Sequence, residues 1–94
     1  MTERLVQKLF LRIKPVNLLL ALRAGPKYTT ILSKEIDCTY SHTIKLLENF
    51  KKLNLVEFEK KGRIKIVKLT SIGEEISKHL ENFVSHLNKL RERA

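Results

Sequence analysis

The side chains best suited to chemistry are hydroxyl, amide, imidazole and ammonium groups that recur between residues 39 and 52. A step of about 100° per residue places several of them on the side of a helix opposite an apolar stripe. The set is Thr39, Tyr40, Ser41, His42, Lys45, Asn49 and Lys52. A helix of this size fits the major groove of DNA, where such groups hydrogen-bond to base edges and phosphates. We therefore predict a recognition helix over residues 39–53, in which Asn49 could pair with adenine and the lysines contact phosphate.

A second basic group lies where the apolar period changes to two. Val56 and Phe58 alternate with glutamates, Lys61-Gly62 indicates a turn, and apolar and basic residues alternate again afterwards. This pattern predicts a β-hairpin, a wing over residues 57–68. Its candidate DNA contacts are Lys60, Lys61, Arg63 and Lys65. We expect the wing to lie on the minor groove or the backbone, with Arg63 reaching an adjacent minor groove.

Other chemistries find little support in the sequence. It has no Gly-rich phosphate loop, no paired carboxylates in a plausible cleft and no supported Ser/His/Asp set, so we predict no enzyme. A single cysteine, Cys38, excludes an internal disulfide and a cysteine-based zinc finger. We interpret Cys38 as a small buried hydrophobe, with a redox-sensing thiol as the alternative. We interpret His79 and His86 as flanking residues rather than metal ligands or pH sensors, and predict no cofactor and no metal.

The net charge of +9 favours a polyanionic partner. Residues 1–26 have five basic and one acidic residue, and residues 27–68 have ten basic and five acidic residues. Residues 69–94 have four of each. The excess therefore ends where the C-terminal segment begins, which favours a protein contact for that segment.

The sequence does not indicate a membrane protein or a secreted one. Its longest apolar stretch, Val16–Leu22, is far shorter than the roughly 20 residues that span a bilayer. The N-terminus lacks the order of a secretory signal. We expect a cytoplasmic, nucleoid-associated protein without a membrane partner.

Helical patterns dominate the first 26 residues. Apolar residues at helical spacing predict a first helix over residues 2–12, although the alternation in Leu9–Ile13 leaves a short strand open. The stripe consists of Val6, Leu9, Phe10 and Ile13. Pro15 suits the first turn of a second helix, largely buried, which Gly25-Pro26 ends.

Two further helices flank a short break. Thr29 or Thr30 is expected to cap the first of them, which ends at Asp37-Cys38-Thr39. At this break Asp37 is expected in a left-handed or turn conformation. Thr39 caps the recognition helix, whose predicted buried stripe is Thr43, Leu46, Leu47 and Phe50. Asn54 suits its C-terminal cap.

Two helices joined by a three-residue break and followed by a hairpin form a winged helix-turn-helix. The segments 30–41 and 53–56 resemble the helix-turn-helix of small winged-helix transcription regulators, especially the MarR type and its archaeal relatives. Ser33 stands where that family has a small residue, and Lys61-Gly62-Arg63 is similar to its wing tip. Leu69–Gly73 resembles its exit from the wing. Asp37 and Asn54 stand where the family usually has glycine.

The C-terminal segment has a coiled-coil pattern. Ser71 and Glu74 form a capping box, and the helix that follows runs to about Glu92. Its apolar residues recur at spacings of four and three. The predicted dimer interface is Ile72, Ile76, Leu80, Phe83, Leu87 and Leu90, with packing of this stripe on its own domain as the alternative. We predict a DNA-binding unit over residues 1–70 and a dimerisation helix over residues 71–94 of the same domain.

The combined expectation is an α+β, mostly α fold: a winged helix-turn-helix with a two-stranded wing and a long C-terminal coiled-coil helix. The predicted function is a homodimeric, sequence-specific regulator of transcription that binds double-stranded DNA, most simply a repressor. The alternatives are an architectural chromatin protein of low specificity and a winged-helix protein-interaction module. The presence of a small-molecule effector stays open, and so does whether residues 1–14 join the dimer interface or contact DNA.

Overall fold

The chain is mostly helical and carries one antiparallel sheet. The computed structural model describes residues 10–62 and 64–93. In chain order the elements are α1 (Ile13–Ala21), a 3-10 turn (Leu22–Ala24), β1 (Lys27–Tyr28), α2 (Thr29–Glu35), α3 (Tyr40–Lys52), β2 (Val56–Lys61), β3 (Ile64–Leu69) and α4 (Ser71–Arg93). The sheet has the order β1-β3-β2. This architecture confirms the predicted mostly helical winged helix.

One apolar core joins α1, α2, α3 and the sheet. Its fully buried members include Leu18 and Leu19 from α1, Leu32 from α2 and Val67 from β3. The predicted stripe of α3 is confirmed. Thr43, Leu46, Leu47 and Phe50 are all buried. Because this stripe is fixed against the core, the opposite side of α3 is left to face solvent.

The N-terminal prediction is tested only in part, because residues 2–9 lie outside the described residues. Phe10 packs against the core, and its ring centroid lies 6.4 Å from that of Phe50. Ile13, predicted on the apolar stripe of the first helix, instead begins α1 and is 72% exposed. The alternative of a strand is wrong over residues 10–13, which are helical or bent.

Asp37 takes the predicted left-handed conformation, and Asn54, predicted as the C-terminal cap of α3, takes it one residue after the cap residue Leu53. Asp37 has a φ of 53° between α2 and α3, and Asn54 has a φ of 61° after α3. Asp and Asn tolerate this region better than most residues. They therefore allow the sharp reversals that set α3 against α2 and against the wing.

The helix caps differ from the sequence predictions at two of three helices. Thr39 caps α3 as predicted, since its Oγ1 accepts a hydrogen bond from the His42 amide at 3.2 Å. The N-cap of α2 is Tyr28 rather than a threonine, because β1 runs directly into the helix and Thr29 is buried. At α4 the cap is Thr70, one residue before the predicted Ser71, and its Oγ1 accepts from the Gly73 amide at 3.0 Å.

The sheet contains a strand that the sequence analysis did not predict. β1 pairs with β3 through Lys27 opposite Val67 and Tyr28 opposite Ile66. Two residues are too few to show an alternating pattern, so only tertiary packing reveals this strand. β2 and β3 form the predicted hairpin, with Gly62 at its tip in a left-handed conformation, φ 65°.

The two halves of α4 have different surroundings. In the first half Ile76 and Leu80 pack against the core, and Ser77 is fully buried. Arg23 from the 3-10 turn donates to Ser77 Oγ at 3.2 Å and pairs with Glu81 at 3.1 Å. In the second half Val84 is half-buried, and three larger apolar side chains are exposed: Phe83 by 60%, Leu87 by 45% and Leu90 by 65%. Within the described part of the chain, no helix is both long and apolar enough to cross a membrane.

Candidate nucleic-acid interface

The outer side of α3 carries the polar residues singled out in the sequence. Tyr40 is 53% exposed, and Asn49 is half-buried at one edge. The other members are all exposed: Thr39, Ser41, His42, Lys45 and Lys52. The oxygen of Thr39 accepts the capping bond, which leaves its hydroxyl proton available to a further acceptor. The fold therefore brings these predicted side chains together on one solvent-facing surface.

A groove borders α3 on the side of α1. Residues 12–15 form one wall of it, and the other wall is formed by α3 residues. Those α3 residues are His42, Lys45, Leu46, Glu48, Asn49 and Lys52. Arg12, at the N-cap of α1, is exposed beside this groove. The start of α1 is thus continuous with the polar surface of α3, which the sequence did not indicate.

Lys14 ties the start of α1 to the turn of the helix-turn-helix. Its Nζ donates to the carbonyl oxygens of Ile36 and Asp37, both at 2.8 Å. These carbonyls lie at the C-terminal end of α2, where helix backbone acceptors lack partners within the helix and a cation is favoured. The half-buried ammonium group therefore stabilises the turn that positions α3.

The wing borders α3 on its other side. The ring of Phe58 on β2 lies under two ammonium groups, Lys51 at 5.1 Å and Lys65 at 4.8 Å from the ring centroid. A cation is attracted to the negative face of an aromatic ring at such distances. Phe58 therefore holds two positive charges where the C-terminal end of α3 meets the wing.

The tip of the wing adds further basic residues. Lys60 and Lys61 are exposed, and they pair in the sheet with Lys65 and Ile64. Arg63, the predicted minor-groove contact, lies outside the described residues. The half-buried Lys65 is placed over Phe58 rather than fully in solvent.

Some basic residues away from this surface have acidic partners. Lys27 pairs with Glu35 at 2.8 Å, and Lys68 lies 3.8 Å from Glu57. The groove and the outer side of α3 are lined by one acidic residue, Glu48, against several basic ones. Positive charge therefore outweighs negative charge on the groove and the outer side of α3.

Cys38 and the two histidines of α4 have different surroundings. Cys38 is half-buried and packs against the core, in keeping with its interpretation as a hydrophobe. His79 is exposed, and His86 Nδ1 lies 2.7 Å from the carbonyl oxygen of Asn82 on the same helix. In the parts of the chain that the structure describes, no three His, Cys, Asp or Glu residues are grouped as metal ligands would be.

Sequence patterns missed three basic residues of this region: Arg12, Lys14 and Lys51. The contacts of Lys14 span 22 and 23 residues, and the ring beneath Lys51 belongs to another element. No local period encodes either contact. For Arg12 and Lys14 the sequence signal was the net charge of +4 over residues 1–26, which had no assigned partner.

The whole fold is similar to that of solved structures. AF1382 from Archaeoglobus fulgidus superposes with a TM-score of 0.79 at 21% identity, over 87% of this chain and 96% of AF1382. The adhesin competence repressor AdcR from Streptococcus pyogenes gives 0.81 at 18% identity, over 93% of this chain and 66% of AdcR. The MarR family transcriptional regulator SPO1453 from Silicibacter pomeroyi gives 0.73 at 21% identity, over 84% of this chain and 59% of that one.

The sequence comparisons found no counterpart. No protein-family model matches the chain, and no curated protein matches it in sequence. At identities near 20% the structural likeness establishes the architecture. The chain shares the winged-helix fold of MarR-type regulators, as the resemblance of its helix-turn-helix and wing segments implied.

Proposed function

We propose that the chain is a homodimeric winged-helix regulator of transcription that binds double-stranded DNA. The observation that carries this proposal is the exposed, basic outer side of α3, opposite its buried stripe and flanked by a basic wing. A helix with side chains fits the width of the major groove, about 12 Å. Among its structural neighbours, AdcR is named a repressor and SPO1453 a transcriptional regulator.

The side chains of α3 divide by chemistry. Ser41 and Asn49 can donate to and accept from base edges, and they are the candidates for reading sequence. Tyr40 adds an exposed aromatic ring at the leading end of the helix. The ammonium groups of Lys45 and Lys52 can only donate hydrogen bonds. They contact phosphate, which contributes affinity without sequence information.

The wing supplies contacts beyond the major groove. Lys60 and Lys61 at its exposed tip approach the DNA backbone, and Arg63 enters the adjacent minor groove. Lys65, over Phe58, contributes positive potential at the base of the wing.

Dimerisation is proposed to use the second half of α4. Exposed Phe83, Leu87 and Leu90 recur at coiled-coil spacing and do not contribute to the core of their own chain. Ile72, 48% exposed, extends the apolar surface at the start of α4, whereas Ile76 and Leu80 pack inward. A two-fold dimer presents two α3 helices to half-sites about 34 Å apart, and it represses by covering a promoter.

Selection of bound fragments from random duplex DNA, followed by gel shifts with the enriched sequences, tests this function. We expect an inverted repeat to be enriched, and Lys45→Ala to weaken binding of the selected duplex. The matched control is Lys78→Ala, which removes one exposed positive charge from α4. Binding without enrichment of a compact site would favour an architectural protein. No duplex binding at low salt would contradict the proposal and favour a protein-interaction module.

A further inference from the structure

The groove beside α3 combines an apolar floor with cationic walls. Pro15 and Leu46 are buried, and Ile13 is exposed at its edge. The basic residues Arg12, Lys45 and Lys52 line the same groove, together with one carboxylate, that of Glu48. Such a surface suits a ligand that presents negative charge and apolar carbon together, as the phosphates and deoxyribose rings of a DNA strand do.

The groove lies on the side of α3 away from the wing. Asn49 lines the groove, whereas Lys51 reaches over Phe58 of β2. These two positions are about 160° apart around the helix. Residues 12–15 and the wing therefore border opposite sides of the recognition helix.

Major-groove geometry places a DNA backbone at each of these borders. A helix with its side chains is about 10–12 Å wide, and the groove of B-DNA is about 12 Å wide. With α3 inserted, the two backbones that bound the groove lie against its flanks. One backbone lies toward the wing, and the other faces the basic groove.

We propose that the groove between residues 12–15 and α3 seats the sugar-phosphate backbone of the DNA strand on the side away from the wing, with Arg12 contacting a phosphate. This inference rests on the proposed function and adds a third DNA-contacting element to it. It also gives a partner to part of the positive charge of residues 1–26. Arg12 is a positioning contact, because a phosphate carries no base identity.

Lys14 fixes the position of residues 12–15 relative to α3. Its two bonds to the Ile36 and Asp37 carbonyls connect the start of α1 to the turn that precedes α3. Arg12 is two residues away on the same segment, so its distance from Lys45 and Lys52 is set by the same turn. The groove therefore moves with α3 when α3 enters DNA.

The test is fluorescence anisotropy of the full chain with two duplexes of unrelated sequence, measured from 50 to 200 mM salt. We expect Arg12→Ala to lower affinity for both duplexes by about tenfold near 50 mM, because one fewer counterion is released. The slope of log affinity against log salt should become shallower by about 0.9. Arg12→Lys should retain the slope, and Lys78→Ala should leave both quantities unchanged.

Three results would overturn the proposal, and they are distinguishable. If the wild-type chain binds both duplexes and Arg12→Ala behaves as Lys78→Ala does, the groove does not seat DNA while the proposed function stands. If Arg12→Ala weakens one duplex selectively with an unchanged slope, Arg12 reads bases instead. If the wild-type chain binds neither duplex, the proposed function fails together with this inference. Circular dichroism of Arg12→Ala checks that the exposed substitution leaves the fold intact.

Discussion

Gly73 fixes how closely α4 approaches the loop that follows α3. A β-carbon at this position would overlap the carbonyl oxygen of Leu55, and it would touch the side chain of Leu69 at 3.2 Å. Thr70 holds the same junction, since its Oγ1 donates to the Asn54 carbonyl at 2.7 Å and its amide donates to the Leu55 carbonyl at 3.0 Å. These contacts join the C-terminal end of α3, the wing and α4.

We expect Gly73→Ala to destabilise the protein by about 1–3 kcal/mol, because α4 must shift away from the Leu55 backbone. In a helix, alanine is more favourable than glycine by about 1 kcal/mol. A net loss of stability would therefore come from the steric overlap and not from helix propensity. Urea unfolding followed by circular dichroism measures it. The control is Ser85→Ala on the exposed part of α4, expected within about 0.5 kcal/mol of wild type. A Gly73→Ala protein more stable than wild type would show that this close packing is absent.

Local sequence patterns predicted α3 well, but they did not predict the contacts that hold α3 in place. The stripe of Thr43, Leu46, Leu47 and Phe50 has helical spacing, and Asp37 and Asn54 are residue types that suit left-handed turns. These signals are contained in a few consecutive residues. They predicted the helix, its ends and its outer side. They also assigned most of the candidate DNA contacts of α3 to that side.

Features that depend on distant parts of the chain were not predictable in this way. β1 exists because Lys27 and Tyr28 pair with β3, nearly 40 residues later. Lys14 acts on carbonyls 22 and 23 residues away. The pattern of α4 is continuous, yet Ile76 and Leu80 pack inward while Phe83 and Leu87 are exposed, since only the first half meets the core. Periodicity indicates that a face is apolar, but not which neighbour covers it.

The cation–π contact between Lys65 and the ring of Phe58 can be measured with a double-mutant cycle. Phe58→Leu retains an apolar side chain and removes the ring face, and Lys65→Met removes one of its two cations. We expect a coupling of about 0.5–1 kcal/mol in unfolding free energy, because the cation–π contact is partly exposed. A cycle of Phe58→Leu with Lys60→Met is the control, since no contact between Lys60 and the ring is seen among the described residues. Equal coupling in both cycles would contradict the contact.

If the second half of α4 forms the dimer interface, charged substitutions there should lower the mass of the particle in solution and leave the fold intact. Phe83→Glu with Leu87→Glu places charges on the exposed apolar side of α4, so we expect the dimer to give way to a monomer of 11.0 kDa. Light scattering measures the mass, and circular dichroism should remain helical because neither side chain belongs to the core cluster. Ser85→Glu, about 160° around the helix from Phe83, is the matched control. A double variant that keeps the mass of the wild-type dimer would place the interface elsewhere.

We propose that α3, the wing tip and the start of α1 form one continuous DNA-binding surface. Titration of the isotope-labelled protein with duplex DNA, followed by amide chemical shifts, maps this surface. We expect the largest changes in residues 12–15, 39–52 and 60–65, and little change in residues 83–90. Large changes confined to the second half of α4, or none at any duplex concentration at low salt, would contradict it.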